Sequence, residues 1–136
     1  MGFCHERLVQ FGDTDMAGVL YFANGLRLCH EAYEASLQAA KIDLRTFFLG
    51  TDFAVPIASA TIQFLQPIYC GDRLWIELTV ELKRESEFTI HYQLFNDEQR
   101  EQRVAEAETR HVCIYGKTRK RRPLPDSLQH WLNTLG

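Results

Sequence analysis

The stretch Phe11-Gly12-Asp13-Thr14-Asp15-Met16-Ala17-Gly18-Val19-Leu20-Tyr21 sets two carboxylates and two glycines between an extended segment and a long helix. Ahead of it, His5 to Gln10 mixes apolar and polar residues as an edge or half-buried strand does. Behind it, from about Phe22 to Lys41, there is no proline and much Leu, Ala and Glu, which predicts a helix. A carboxylate held just ahead of a helix start lies beside unpaired backbone N–H groups and the positive end of the helix dipole. The charged form is favoured there, and the same N–H groups can polarise a carbonyl oxygen.

Downstream, the pattern changes from helix to strand. Thr46-Phe47-Phe48-Leu49, closed by Gly50, reads as a lid or pocket wall. Val55 to Pro67 is rich in β-formers, with Pro67 near the end, where a missing donor does least harm. Leu74, Ile76, Leu78, Val80 and Leu82 alternate with Trp75, Glu77, Thr79, Glu81 and Lys83, a period of two with one buried face. Phe88, Ile90, Tyr92 and Leu94 repeat it, and Asn96-Asp97-Glu98 marks a turn into Arg103 to Tyr115. The order β-α-β-β-β-β, with hairpin spacings between the last strands, predicts an α+β fold: an antiparallel sheet wrapped around one long helix. Gly25, Cys29, Ala32, Ser36, Ala39 and Ala40 are small enough for a helix clasped by a curved sheet. Leu128, Trp131, Leu132 and Leu135 give residues 125 to 135 the stripe of a short amphipathic helix.

With 136 residues and 46% hydrophobic content, the chain is expected to form a single domain over 1–136, with a basic segment and the short helix at 117–136. No segment is long and apolar enough to span a bilayer, and Met1-Gly2-Phe3-Cys4-His5-Glu6-Arg7 lacks the order of a signal peptide, so a cytoplasmic protein with no membrane partner is expected. Cys4, Cys29, Cys70 and Cys113 lack the C-x-x-C spacing of a zinc ribbon or redox pair, and read as reduced thiols. Against a net charge of −3, Lys117, Arg119, Lys120, Arg121 and Arg122 form one basic tract on an acidic body. That body repels a phosphate backbone and the tract has no interleaved aromatics, so no nucleic acid is expected to bind. The tract is either a solvated segment or a grip for smaller phosphates.

The loop and the runs after it resemble the hotdog-fold acyl-CoA thioesterases of the 4-hydroxybenzoyl-CoA thioesterase type, whose signature F-G-D-x-D-x-x-G-x-x-x-[FYH] leads into the central helix. The resemblance continues through Pro56-Ile57-Ala58-Ser59-Ala60, Gly71-Asp72 and Leu82-Lys83-Arg84-Glu85-Ser86-Glu87-Phe88, covering roughly residues 5 to 116. The helix text Leu28-Cys29-His30-Glu31-Ala32-Tyr33-Glu34-Ala35 is similar to members of that family acting on 1,4-dihydroxy-2-naphthoyl-CoA in phylloquinone and menaquinone synthesis.

The resemblance implies an acyl-CoA thioesterase that needs no cofactor or metal and works as a homo-oligomer, a dimer or homotetramer with the site between subunits. It puts catalysis on Asp15, the oxyanion contact on the backbone N–H of Phe22, and a basic pair near CoA on Lys83 and Arg84, beside Ser86. Asp15 would either deprotonate a water or attack the thioester itself. The Phe22 N–H would stabilise the oxyanion, an effect worth about 3 kcal/mol per donor. Gly18 lets the backbone pass close to substrate or take a positive φ. CoA phosphates require cations, for which Lys117 and Arg119 stand next after the pair. Tyr33 and Phe48, with Phe47 and Phe53, either line an acyl pocket or belong to the core.

An isolated Asp-x-Asp before a helix is ordinarily a cap or turn, and Asp13 keeps that reading, its carboxylate expected on loop amides. A dehalogenase-like phosphatase also has Asp-x-Asp after a strand, but on a parallel α/β sheet that these hairpin spacings do not allow. A hotdog hydratase needs a His in the loop, and none lies between Gly12 and Asn24. His30, Glu31 and Glu34 read as helix-surface or subunit-contact residues. The competing class is a non-catalytic module that binds CoA or an acyl carrier; other acyl-CoA substrates, 4-hydroxybenzoyl-CoA or short chains, remain alternatives within the enzyme class.

Overall fold

Leu74, Ile76 and Leu78, buried in alternation with less buried neighbours, fix the inner face of the longest strand, and the sheet builds on it. The computed structural model describes residues 2–49 and 52–135, and of Phe48 the main chain only. In chain order the strands are β1 (Phe3–Leu8), β2 (Phe53–Ala54), β3 (Ile57–Phe64), β4 (Arg73–Arg84), β5 (Glu87–Phe95), β6 (Arg103–Val112) and β7 (Ile114–Tyr115). The helices are α1 (Phe22–Ala39), α2 (Leu44–Leu49) and α3 (Asp126–Leu135), with a 3-10 turn at Phe11–Asp13. Five strands form one antiparallel sheet in the order β1-β4-β5-β6-β3, and β2 pairs with β7 apart from it.

Both edge strands, β1 and β3, contact α1, as does β4. A sheet whose two edges meet the same helix must curl around it, which is the hotdog architecture. Gly25 permits the closest approach: a Cβ there would meet Ile62 Cδ1 at 2.7 Å and Phe64 Cζ at 2.8 Å. Leu28, Cys29, Ala32, Tyr33, Ser36 and Leu37 continue the buried face of α1. Ala39, expected on that face, is exposed: seven residues on from Ala32 it keeps the same side of the helix, but it is the last residue of α1. α3 covers the open end of the core with Leu128, Trp131, Leu132 and Leu135 buried, the four residues that its periodicity selects. Trp131 Nε1 donates to Ser36 Oγ at 3.0 Å, and its ring lies 5.6 Å from Tyr33 and 5.2 Å from Phe88.

Several boundaries differ from the sequence reading. β1 starts at Phe3 and ends at Leu8 rather than Gln10, since Gln10 opens the 3-10 turn. The run from Val55 breaks at Pro56, and β3 starts at Ile57 and ends before Pro67. The run from Arg103 to Tyr115 is two strands: Cys113 N–H donates to Ser86 O at 2.8 Å, and beyond it the chain leaves the main sheet to pair with β2. Leu82 continues the alternation of β4 yet is 51% exposed, because β4 outruns the core near its hairpin. Gly50, read as closing the lid, lies outside the described residues. No described helix is long and apolar enough to cross a membrane.

Candidate active site

The loop between the 3-10 turn and α1 is tied down along its length by main-chain bonds. Asp15 N–H donates to Val19 O at 2.9 Å, Gly18 N–H to Asp15 O at 3.0 Å, Leu20 N–H to Ile68 O at 2.7 Å and Tyr21 N–H to Asp13 O at 3.0 Å. Gly18 sits at φ +81°, a left-handed turn that a side chain would strain. These bonds present Asp15 outward: it is exposed, and its Oδ1 accepts the Ala17 N–H at 2.8 Å, leaving Oδ2 with no protein donor among the described residues. α1 starts at Phe22 with no side chain capping it, and the Phe22 N–H donates to no main-chain carbonyl among the described residues. It is an open donor at the positive end of an 18-residue helix.

Asp15 and Phe22 line one cleft of about 490 Å³, completed by Val19, Leu20, Phe64, Leu65, Gln66, Pro67 and Ile68. A carboxylate and a helix N-terminus facing a mostly apolar hollow suit an apolar acyl group whose carbonyl lies between base and donor. The wall from Phe64 to Ile68 had no local signal in the sequence: these residues read as a strand end, and only the Leu20 and Val19 pairings to Ile68 and Tyr69 bring them to the loop.

Asp13 is as buried as Asp15 is open. At 2% exposure, its Oδ2 accepts Arg7 Nη1 at 2.7 Å and the Gln10 N–H at 2.8 Å, and its Oδ1 accepts Arg27 Nη2 at 2.6 Å. Burial works against its charged form, but the Arg7 guanidinium, the Gln10 N–H and Arg27 outweigh it and hold the carboxyl below its usual range. The expectation of loop amides is therefore only part of the finding, for two arginines carry most of the contact. Glu31, read as a helix-surface or subunit-contact residue, belongs to the same cluster: it accepts Arg7 Nε at 2.8 Å and lies 3.6 Å from Arg27 Nη1.

The other expected residues fall elsewhere on the chain. Lys83 and Arg84 stand exposed at the β4–β5 hairpin, where Lys83 Nζ pairs with Glu81 at 3.0 Å; Ser86, in the turn, is buried at 8%. Arg73, at the other end of β4, adjoins Leu8 just before the Asp15 loop, and ten residues of strand separate it from Lys83, about 33 Å. Within one chain, then, the basic pair stands at the end of β4 away from the strand pairing that leads into the Asp15 loop. Tyr33 and Arg119 line a separate cavity of about 270 Å³ with His30, Phe47, Phe53 and Pro56, and Tyr33 itself packs edge-on to His111 at 4.9 Å. The Phe48 side chain lies outside the described residues. Lys117 lines a broader hollow with Tyr115, Lys120 and Arg122. Within the basic tract Arg121 is committed to Glu87 at 3.0 Å, and Arg122 stacks over Phe53 and Tyr115.

Among the described residues no group of three or more His, Cys, Asp and Glu is placed to hold a metal ion. The Thioesterase-like superfamily profile matches residues 9–132, and the chain belongs to that superfamily. A 1,4-dihydroxy-2-naphthoyl-CoA hydrolase from Crocosphaera subtropica is 50% identical over 130 residues, which cover 96% of this chain and 95% of that protein. The hydrolase of the same name from Microcystis aeruginosa is 50% identical over 131 residues, covering 96% and 93%. Among solved structures, a 1,4-dihydroxy-2-naphthoyl-CoA thioesterase from Synechocystis is 40% identical and superposes with a TM-score of 0.93, covering 99% of this chain and 98% of that one.

Proposed function

We propose that this chain hydrolyses an aromatic acyl-CoA, 1,4-dihydroxy-2-naphthoyl-CoA, to the free acid and CoA. The observation that carries the proposal is one mostly apolar cleft lined both by Asp15, with a carboxylate oxygen unengaged, and by Phe22, whose N–H is open at the helix start. The names of relatives that match nearly the whole chain support the substrate.

In this reading the thioester carbonyl oxygen accepts the Phe22 N–H, and negative charge develops there as the carbonyl carbon becomes tetrahedral. Asp15 Oδ2 either takes a proton from the water that attacks that carbon or attacks it directly, forming a mixed anhydride that water then opens. On both routes the carbon–sulfur bond breaks, the sulfur leaves as CoA thiolate and takes up a proton, and water supplies the new oxygen. Gly18 keeps the loop in the turn that aims Asp15.

The placing of the basic pair at the far end of β4 from the Asp15 loop favours a site shared by two copies. One copy would contribute Asp15 and the Phe22 N–H, and the other Lys83, Arg84 and Ser86 for the nucleotide end of CoA. Lys117 and Arg119 are further candidates for the phosphates, and Tyr33 and Phe48 for the acyl wall. A homodimer, or a tetramer built from such dimers, is the working unit of this proposal.

The test is a hydrolysis panel of 1,4-dihydroxy-2-naphthoyl-CoA, 4-hydroxybenzoyl-CoA and short- and long-chain acyl-CoAs, each with and without EDTA. The naphthoyl thioester should give the highest kcat/KM, unchanged by the chelator. Binding without turnover of any thioester would make the chain a CoA-binding module instead, and a loss restored by added Mg²⁺ would overturn the metal-independent mechanism.

A further inference from the structure

Two side chains one turn apart on α1 hold Asp13 by both its main chain and its carboxylate. Asn24 Nδ2 donates to the Asp13 carbonyl oxygen at 2.9 Å. Arg27 Nε donates to Asn24 Oδ1 at 3.3 Å, and Arg27 Nη2 donates to Asp13 Oδ1 at 2.6 Å. The three contacts close a ring: carbonyl, amide, guanidinium, carboxylate. From the β1 side, Arg7 Nη1 takes the other carboxylate oxygen at 2.7 Å, and Glu31 completes the cluster with Arg7 at 2.8 Å and Arg27 at 3.6 Å, two cations against two anions.

What the ring holds is the origin of the loop. The Asp13 carbonyl also accepts the N–H of Tyr21, the residue before Phe22, at 3.0 Å. Asp13 is thus two residues from Asp15 along the chain, and across this hydrogen bond one residue from the Phe22 N–H. The distance between the Asp15 carboxylate and that donor is set through Asp13, and Asp13 is set by Asn24 and Arg27.

We infer that Asn24 and Arg27 are positioning residues for hydrolysis, a clamp that fixes Asp15 relative to the Phe22 N–H; this rests on the reading of Asp15 and Phe22 as the hydrolytic pair. Arg27 is suited to such a role rather than to core stability, because its side chain is 51% exposed and contributes little buried surface. Its planar fork reaches Asp13, Asn24 and Glu31 together, which an ammonium cannot do.

The experiment measures kcat, KM and Tm for Asn24→Ala, Arg27→Ala and Arg27→Lys on an aryl-CoA thioester, with Asp15→Asn alongside. In both Ala variants kcat should fall on the order of ten- to a hundredfold, the effect of a misplaced catalytic group. KM should stay within about twofold, since no substrate contact is removed. Arg27→Lys keeps the charge beside Asp13 but not the fork, and its kcat should stay low. Ala variants with full kcat at assay temperature and only a lowered Tm would overturn the clamp, as would full restoration by Arg27→Lys. An Asp15→Asn variant that turns over normally overturns the functional reading instead. With Asp15→Asn inactive and both Ala variants at full kcat, the clamp alone falls.

Discussion

Asp13 and Asp15 stand two residues apart in one loop with opposite surroundings: Asp13 is sealed between Arg7 and Arg27, while Asp15 opens onto the cleft with one carboxylate oxygen unengaged. Asparagine at each position therefore separates the carboxylate that would react from the one that holds the loop. Asp15→Asn should lose at least about a hundredfold in kcat, the lower end of what general base catalysis contributes. Its Tm should hold, because Asn serves a turn nearly as well as Asp. Asp13→Asn removes the charge that balances two arginines and should cost about 2 kcal/mol, a fall of roughly 8 °C for a chain of this size. Thermal melts and steady-state kinetics on both variants decide it; a normal kcat in Asp15→Asn would be fatal to the proposed mechanism.

The basic pair at the β4–β5 hairpin gives a second prediction. Lys83→Ala combined with Arg84→Ala should raise KM for an acyl-CoA far more than for the matching pantetheine thioester, because only the former carries the nucleotide phosphates. Equal changes on both substrates would remove the pair from the nucleotide site and leave Lys117 and Arg119 as the candidates.

His111 makes stability depend on pH. It is fully buried, stacked on Phe88 at 4.7 Å, with Nε2 on Thr109 Oγ1 at 2.7 Å and Nδ1 without a partner among the described residues. Burial, helped by the nearby His30, pushes its pKa down to about 3. The unfolded chain takes up a proton there below about pH 6.5, where the folded one does not, so its contribution to stability is complete above that pH and is lost as pH falls toward 3. Between pH 7 and 5 the denaturant midpoint of the native chain should drop, at up to about 1.4 kcal/mol per pH unit. His111→Gln should flatten that dependence while lowering stability at pH 7, and an unchanged slope would exclude the histidine as its source.

Gly25 couples helix packing to the cleft. A methyl group there collides with the ring of Phe64, which is also a cleft wall. Gly25→Ala should destabilise by about 1–3 kcal/mol, the usual cost of overpacking. It should also raise KM for bulky aryl thioesters more than for short-chain ones. A variant with native stability and an unaltered substrate profile would show that Phe64 can yield without moving the wall.

The fold was legible in the sequence wherever periodicity was local: the alternation of β4 and β5, the proline-free α1 and the stripe on α3 each report one element's buried face. The join of β6 to β7 was not, since apolar alternation runs through Cys113 while the break is made by a hydrogen bond to Ser86, a residue 27 positions earlier. In the candidate site, Asp15, Gly18 and Phe22 stand in one contiguous run of the sequence. Arg7 was not, because its partners Asp13 and Glu31 belong to other elements and meet only when β1 lies against α1. A signal did exist on α1 itself: Asn24, Arg27 and Glu31, at spacings of three and four, share one helix face that points back at the loop. The wall from Phe64 to Ile68 had no such trace, as it is delivered by strand pairing alone.

The seat of Trp131 sets when the apolar interior can be closed. Its indole is bonded to Ser36 and lies against Tyr33 and Phe88, partners that precede it by 95, 98 and 43 positions. While the chain is being synthesised, α1 and the whole main sheet leave the ribosome before residues 126–135 do. Until α3 emerges, one end of the apolar interior stays uncovered on the nascent chain, and a stall in translation after β7 leaves a folded sheet with an adhesive mouth.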